Sequence, residues 1–179
     1  GASCMYDLPL RHVPEAVSRG DEQFALELVF SGGTGARPGL DGLSATAFPS
    51  GVWGSQVETT EAVAPVLITR RELKPDSGGA GQFRGGLGVE IRYRCLQDTT
   101  ANVNFDRTVD APWGLHGGSS GAVNEAIIYR TDGSEERVLK QTNIQLKAGD
   151  RVSFLTGGGG GYGDPLLRDR NEIIHDLKT

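Results

Sequence analysis

The chain has 179 residues and a formal net charge of −5 at pH 7, with mixed acidic and basic side chains and no block of Lys or Arg. This length suffices for one domain with a buried core, and the composition argues against a disordered chain. A negative chain without a basic cluster argues against nucleic acid or an acidic membrane surface as partner. No apolar run approaches the roughly 20 residues of a membrane span, and the N-terminus lacks a signal peptide pattern. We therefore expect a soluble, cytoplasmic protein.

The predicted elements, taken in chain order, are mostly β-strands, because apolar residues recur at every second position. Asp132-Gly133 suits a tight hairpin turn between two of them. The pattern predicts a single mainly β domain over residues 1–179, an antiparallel-leaning sandwich or barrel with long glycine-rich loops. The predicted strands cover residues 24–30, 66–73, 89–95, 126–130, 136–139, 144–147 and 151–155.

One helix is predicted, at the C-terminal end over residues 164–178. Asp164 suits the N-cap, Pro165 suits the first helical position, and five apolar residues between Leu166 and Leu177 follow a 3.6-residue spacing. No capping residue follows this helix, and the chain begins Gly-Ala-Ser. We therefore expect a piece of a longer protein.

Two runs, Pro75–Gly88 and Thr156–Pro165, together contain twelve glycines. Glycine is favoured where the backbone needs a positive φ or where another group approaches closely. Neither run predicts nucleotide binding: no Lys-Ser/Thr pair follows the second, Asp164 would repel a phosphate, and a strand follows the first. Loops at Gly32, Gly78, Gly117 and Gly157 that converge would fit a binding mouth, whereas dispersed loops would favour turns and packing.

The residues that could carry chemistry are few. His116 lies with Trp113 in the flexible stretch 111–121, which could form a site or a loop packed by its own tryptophan. Glu58 and Glu61 could form an acid/base pair or simply be two exposed acids. Arg84 could meet a carboxylate or anion, or brace its own loop through backbone carbonyls.

Metal and covalent chemistry have no clear candidates in this chain. The three histidines share no ligand spacing, and Cys4 and Cys95 fit neither a metal site nor a disulfide framework. Cys95 is expected to be a small buried apolar residue. No Gly-x-Ser-x-Gly elbow or Cys/His pair is present. The residues alone therefore indicate a shaped β scaffold without a self-contained active site.

Four motifs, in the same order, give the chain a family resemblance. The run Arg71–Gly88 (RELKPDSGGAGQFRGGLG) strongly resembles the B-type subunit of ATP-dependent hydantoinases, a family that includes 5-oxoprolinase and the large subunits of acetone and acetophenone carboxylases. The stretches Gly32–Gly42, Ala111–Gly118 and Gly157–Pro165 agree with it. The resemblance covers nearly the whole chain from Gly32 onward, and only the C-terminal portion of the family proteins.

This resemblance implies a module of a two-component enzyme that opens a cyclic amide such as a hydantoin or 5-oxoproline, or carboxylates a ketone. ATP would phosphorylate an unreactive oxygen. The implied partners are an A-type subunit that handles ATP, the N-terminal part of the B-type subunit that holds any divalent metal, and a small-molecule substrate. No cofactor is expected on this chain, and the isolated fragment is expected to be inactive.

The resemblance does not identify catalytic residues. His116, Glu58 and Glu61 stay candidates, and the motif residues Arg37, Asp41, Asp76, Arg84 and Trp113 are expected to bind substrate or shape the loops. Where the family has a Thr-Pro pair, this chain has Ser55-Gln56, which leaves the role of Glu58 open. The alternative hypothesis is a non-catalytic assembly module whose glycines serve only close packing.

Overall fold

The computed structural model describes Leu26, residues 28–46 and residues 56–177. Alternating apolar residues form most of the strands; short turns with Gly and Asp join two pairs of them, whereas residues 74–88 and 105–124 are long connections. The helices are α1 (Val57–Val63) and α2 (Arg170–Asp176), preceded by a 3-10 turn at Pro165–Leu167. The strands are β1 (Val66–Leu73), β2 (Val89–Cys95), β3 (Thr99–Asn104), β4 (Glu125–Tyr129), β5 (Glu135–Val138), β6 (Lys140–Leu146) and β7 (Arg151–Leu155).

The strands form two antiparallel sheets. The larger has the order β1-β2-β7-β4-β5, and the smaller pairs β3 with β6. Every pairing in both sheets is antiparallel. The prediction of a mainly β, antiparallel fold is therefore confirmed, and within the described residues the strands form no closed barrel.

The two sheets share one apolar core. Side chains from the larger sheet, such as Ile128 and Phe154, join Val103 and Leu146 of the smaller sheet in one buried cluster. Phe154 lies at its centre, with its ring centroid 5.0 Å from that of Phe30, 5.9 Å from that of Tyr93 and 6.1 Å from that of Phe105. Aromatic burial of this kind fixes the spacing of the sheets and hence the loops at their ends.

Strands β1, β2 and β7 match their predicted bounds, β4 and β5 begin and end one residue earlier than predicted, and β6 begins at Lys140, four residues before its predicted start. Strand β3 was not predicted, although Thr99, Ala101 and Val103 are buried at alternate positions. Of the predicted strand 24–30, only Leu26 and residues 28–30 are described. Leu26, Leu28 and Phe30 are buried, as alternation predicts, but no named strand includes them.

The predicted helix over 164–178 is divided in two. Asp164 accepts a hydrogen bond from the Leu166 amide at 2.9 Å, as predicted, but the 3-10 turn ends at Leu167. Asp169 then caps a second start by accepting from the Asn171 amide at 2.8 Å. No residue of α2 is buried, so the apolar stripe faces outward in this chain. Neither helix has the length to cross a membrane, and nor does any other helical segment in the described part of the chain.

Candidate functional site

Four glycine-rich segments meet at one end of the larger sheet: residues 32–46, 75–88, 112–122 and 156–163. The strand register explains the convergence, because Glu90 at the start of β2 and Glu125 at the start of β4 both lie opposite Leu155 at the end of β7. The segments that join these strand ends must therefore emerge side by side. The loops at Gly32, Gly78, Gly117 and Gly157 do converge, but they pack against one another rather than open a mouth.

Segment 156–163 is the centre of this packing, and we call its five consecutive glycines, 157–161, the glycine rod. All five are buried, and a Cβ on any of them would overlap backbone atoms of another segment. The contacts rotate with a period of three, which is the residue count per turn of a polyproline II helix. In order, the overlapped atoms are the carbonyl oxygens of Ala122 (2.4 Å), Ser77 (2.0 Å), Thr34 (1.8 Å), Trp113 (2.1 Å) and Ala80 (2.1 Å).

Backbone hydrogen bonds hold the segments around the rod. The rod's Gly159 and Gly161 donate their amides to the carbonyls of Gly86 and Ser119, both at 2.9 Å, and the Gly79 amide donates to the Gly159 carbonyl at 2.8 Å. A phosphate-binding loop needs amides that point to a ligand. These amides are instead bonded within the chain, so they serve packing.

Asn124 anchors the third segment to the rod. Its buried side chain donates to the Asp106 carbonyl at 2.7 Å and accepts a short hydrogen bond from the Gly157 amide. The backbone amide of Asn124 donates to the Arg107 carbonyl at 3.0 Å. The buried Phe105 fixes the other side of this connection in the core. The loop that follows Phe105 therefore projects from a rigid base.

That loop lines an open cleft of about 790 Å³. Trp113 is 65% exposed on its wall, and the Arg107 guanidinium lies 5.1 Å from the Trp113 ring centroid. Arg107 has a φ of +54°, an uncommon conformation for a residue other than glycine. Backbone strain of this kind is concentrated at functional sites. The lining residues are Arg107, Thr108, Val109, Asp110, Ala111, Trp113 and Ser120.

His116 lies on the same loop but does not line this cleft. It has a φ of +51° and is followed by Gly117 at +96°, and the Gly118 amide donates to the Leu115 carbonyl at 3.0 Å. Positive φ at both central residues defines a type I′ turn, which presents an exposed imidazole at its tip. The His116 ring centroid lies 4.9 Å from that of Tyr162, next to the rod.

A cluster of two arginines and two carboxylates ties the C-terminal segment to this end of the molecule. Arg168 donates to both carboxylate oxygens of Asp41, at 2.8 and 2.9 Å, and from two nitrogens to one oxygen of Asp176, at 2.8 and 3.0 Å. Arg84 Nε lies 2.9 Å from Asp176 and 3.6 Å from Asp41. Arg84 therefore meets carboxylates of other segments, and a carbonyl brace within its own loop is not what the structure shows.

The cluster shifts the ionisation of its members. Burial acts to raise the pKa of Asp41, but hydrogen bonds from Arg168 and from the Arg84 amide, with both positive charges, outweigh it and lower that pKa. The hydrogen bond to Asp41 is the main cause of a raised pKa for Arg168. Since arginine guanidinium groups hold the carboxylates of Asp41 and Asp176, with Glu172 also 4.0 Å from Arg168, the cluster is a lock between segments rather than a reactive centre.

The other predicted residues do not join the cleft lining. Arg37 is exposed in a turn that Gly39 completes, and Asp76 adopts a φ of +56° in an exposed turn after Pro75. Glu58 is exposed on α1, and Glu61 accepts a hydrogen bond from the Ile68 amide at 2.7 Å. An acid bonded to a backbone amide braces α1 against β1. Nothing in the described residues groups three His, Cys, Asp or Glu side chains as metal ligands.

Sequence reasoning selected Trp113, His116, Asp41 and Arg84 but missed Arg107, Asn124 and Arg168. An arginine in a polar loop has no local signature that separates a site residue from a solvated one. Asn124 carried a weak signal, because it follows a glycine-rich stretch and directly precedes a strand. The partners of Arg168 lie in segments distant along the chain, and no spacing rule reveals them.

Comparison with known proteins identifies the architecture. The family model described as hydantoinase B/oxoprolinase matches residues 2–165. The chain is 34% identical over 156 residues to the caprolactamase subunit beta of Pseudomonas jessenii, covering 82% of this chain and 27% of that protein. The chain spans between 11% and 27% of the length of curated relatives that it matches.

Two solved structures share the fold. The ATP-dependent caprolactamase from Pseudomonas jessenii superposes with a TM-score of 0.78 at 26% identity, covering 99% of this chain and 33% of that chain. A nucleotide-free acetone carboxylase superposes with a TM-score of 0.79 at 22% identity, covering 99% and 27%. Because both superpositions cover nearly the whole chain, the glycine rod and its surrounding segments belong to a fold that also occurs in these larger enzymes.

Proposed function

The chain belongs to the hydantoinase B/oxoprolinase family, and on that premise we propose that it is a module of a longer B-type subunit in an enzyme that hydrolyses a cyclic amide at the expense of ATP. The family match carries this proposal, together with the 34% identity to a caprolactamase subunit. Caprolactam, hydantoin and 5-oxoproline all contain a ring amide, so one reaction type unites the related names. The proposed setting is the cytoplasm.

The reaction needs activation because an amide carbonyl is a poor electrophile. Phosphoryl transfer from ATP to the carbonyl oxygen releases ADP and makes the ring carbon electrophilic. Water then adds to that carbon, and the ring C–N bond breaks with protonation of the nitrogen, which leaves an acyl phosphate. A second water hydrolyses the acyl phosphate to the carboxylate and inorganic phosphate. We assign the handling of ATP to an A-type partner subunit and any divalent metal to the remainder of the B-type subunit. The Gly79, Gly85, Gly159 and Gly161 amides of the glycine segments donate to carbonyls within the chain, so these amides do not cradle a phosphate.

We assign to the loop 105–121 the shaping of the substrate cavity. Trp113 offers an exposed flat ring against which a planar amide ring can pack, and Arg107 beside it offers donors to a carbonyl or carboxylate oxygen. The anchoring by Asn124 and Phe105 would hold both groups in place. His116 lies three residues beyond Trp113 on a turn with positive φ, and we assign its exposed imidazole to the same loop surface.

The proposal is tested in the full-length two-subunit enzyme. Substrate-stimulated ATP hydrolysis would be measured with hydantoin, 5-oxoproline, caprolactam and acetone, and ring-opened products would be quantified. Trp113→Ala and Arg107→Gln should raise KM by about tenfold, the scale of one lost packing or hydrogen-bonding contact, with complex size unchanged. Stimulation by none of the cyclic amides would overturn the proposal.

His116 can be tested separately from the shape of its turn. Asn tolerates positive φ, so His116→Asn keeps the turn and removes the imidazole, whereas His116→Val strains the turn. A role in proton transfer predicts lower kcat and a lost pH inflection in the Asn variant at unchanged thermal stability. Normal turnover in the Asn variant would leave His116 a turn residue only.

A non-catalytic assembly module is the second candidate function, and the packing of the glycine rod favours it. The rod and its neighbours use their glycines for backbone contact, which a scaffold also requires. Under this alternative, cleft substitutions leave turnover unchanged while substitutions in the rod abolish complex formation. Stimulation of ATP hydrolysis by acetone alone would instead indicate ketone carboxylation, in line with the shared fold.

A further inference from the structure

The outer face of the larger sheet, opposite the apolar core, carries its charged side chains in three rows that cross the strands. The register places each row, because partners in an antiparallel pair project to the same side. The first row is Leu67, Arg94, Arg151, Tyr129 and Glu135; the second is Arg70, Arg92, Ser153, Ile127 and Arg137; the third is Glu72, Glu90, Leu155 and Glu125.

The second and third rows neutralise each other. Arg70 lies 3.0 Å from Glu90 and 3.3 Å from Glu72, Arg92 lies 2.8 Å from Glu90, and Arg137 lies 3.2 Å from Glu125. Glu90 also accepts from the Ser153 hydroxyl at 2.7 Å, within a nearly buried network. These charges stabilise the sheet, and no external ligand is needed to account for them.

The first row is left with two uncompensated arginines. Arg94 and Arg151 are exposed and directly opposite each other on β2 and β7. Across the described residues, no carboxylate lies within salt-bridge distance of either guanidinium. Like charges directly opposite across a ladder destabilise a sheet. A chain with net charge −5 nevertheless places this repulsive pair on two interior strands of its larger sheet, at the end of the sheet that lies away from the glycine rod.

The surroundings of the pair have the composition of a protein interface. The Tyr129 ring has the Arg92 guanidinium at 5.0 Å and the Arg151 guanidinium at 5.6 Å, and Leu67, beside Arg94, is 40% exposed. Tyr and Arg are the residues enriched at the energetic centres of interfaces. An open cleft of about 670 Å³ includes Arg92, Arg94, Arg130 and Arg151 and is broad rather than enclosed.

We propose that this face, centred on Arg94, Arg151 and Tyr129, docks a carboxylate-bearing segment of the A-type partner subunit. The inference rests on the proposed function for the existence of that partner. Two acidic side chains of the partner would each take a guanidinium, cancel the repulsion between Arg94 and Arg151, and place an apolar neighbour on Leu67. The face lies at the end of the sheet opposite the glycine rod, so docking leaves the cleft at 105–121 free.

The test measures the affinity of the full-length B-type subunit for its purified A-type subunit across a series of NaCl concentrations. The double variant Arg94→Glu/Arg151→Glu should bind at least tenfold more weakly, with a flatter salt dependence, because steering by opposite charge is lost. Lys140→Glu/Arg170→Glu makes the same change in net charge at exposed positions away from this face and should bind like the unmodified subunit. Equal affinity of both double variants would overturn the proposal.

A second measurement separates docking from a structural role. Arg94→Gln relieves the repulsion, so it should raise the melting temperature of the free subunit while weakening the complex. A structural role would move both quantities in the same direction. If the free B-type subunit no longer folds when it carries both Glu substitutions, this face is covered within its own subunit. If inorganic phosphate protects Arg151 from chemical modification, the face is a small-anion site. Either result would overturn the proposal.

These outcomes are independent of the catalytic proposal. ATP-dependent turnover of a cyclic amide is measured on the unmodified complex, whereas docking is read from binding alone. A complex that forms through Arg94 and Arg151 but lacks hydrolase activity would refute the proposed function and keep the docking face. A complex that hydrolyses a cyclic amide but forms equally well without Arg94 and Arg151 would keep the proposed function and refute the docking face.

Discussion

At the scale of single residues, Arg168 shows how one side chain joins distant parts of the sequence. Its side chain is only 8% exposed and contacts Asp41, 127 positions earlier, and Asp176 in α2. Five donors in a fixed fork suit two carboxylates at once. Lysine would supply the charge without this geometry.

Removal of Arg168 should destabilise the chain more than removal of any exposed cation. Arg168→Met leaves Asp41 and Asp176 close together with only Arg84 between them. We expect a loss of about 2 kcal/mol in the free energy of unfolding, below the cost for a fully buried pair because both carboxylates retain some solvent. Urea denaturation measures it, with Arg170→Met as the exposed control. Equal effects of the two substitutions would contradict the assigned lock.

The same cluster predicts an acid dependence of stability. The pKa of Asp41 is lowered in the folded chain, so its stabilising contribution is present above the unfolded value of about 3.9 and is lost as the pH falls through the folded value. The free energy of unfolding should therefore drop below about pH 4. Asp41→Asn should be less stable at pH 7 and lose less on acidification; parallel pH curves would exclude this role.

At the scale of elements, alternation in the sequence predicted strands well where every second residue is strongly apolar. Strands β2 and β7 followed this rule, whereas β1 was predicted from its position between Pro65 and Pro75 and is mostly exposed. Strand β3 was not predicted because few of its residues, TTANVN, are strongly apolar. It buries threonine and alanine, and its two asparagines have a low strand preference. Asp164 is an N-cap, as predicted, but it caps a 3-10 turn that ends at Leu167, and the α-helix begins only at Arg170 because Asp169 provides a second N-cap.

The glycine-rich loops were predicted to have a specified shape, but their packing could not be derived. A run of glycines indicates that another group approaches the backbone closely, but it does not identify that group as ligand, side chain or backbone. The rod shows that the close neighbour is backbone from three other segments, each of them distant along the chain. The choice between a mouth and a packed bundle is set by these long-range contacts, which no local pattern encodes.

The rod should tolerate no side chain. A Cβ at Gly159 would lie 1.8 Å from the Thr34 carbonyl oxygen, whereas one at Gly35 would meet the Gly160 carbonyl oxygen at an ordinary 3.8 Å. We expect Gly159→Ala to cost more than about 4 kcal/mol, beyond the range of most point substitutions. Gly35→Ala should change stability by less than about 1 kcal/mol. Thermal unfolding compares the two, and similar melting temperatures would be incompatible with a close-packed rod.

At the scale of the whole molecule, Cys95 offers a probe of cooperative opening. It is 2% exposed in the shared core, and burial raises the pKa of its thiol to about 12. In a Cys4→Ser background, a thiol reagent at pH 8 should label Cys95 only through unfolding, so destabilising variants should speed labelling in proportion to their loss of stability. Rapid labelling of the native chain, at the rate of a free thiol, would show that the two sheets separate locally.

The position of the glycine rod in the sequence also determines when the chain can complete its folding. The side chain of Thr156, at its start, bonds to the Ser31 carbonyl 125 positions earlier, and the three surrounding segments all precede the rod in the sequence. During synthesis these segments emerge first, and they cannot pack against the rod until residues 157–161 leave the ribosome. High contact order of this kind slows folding, and the half-made chain exposes glycine backbone whose hydrogen bonds are still unmade. Chaperone dependence of this fold should therefore fall sharply once the nascent chain extends past the rod.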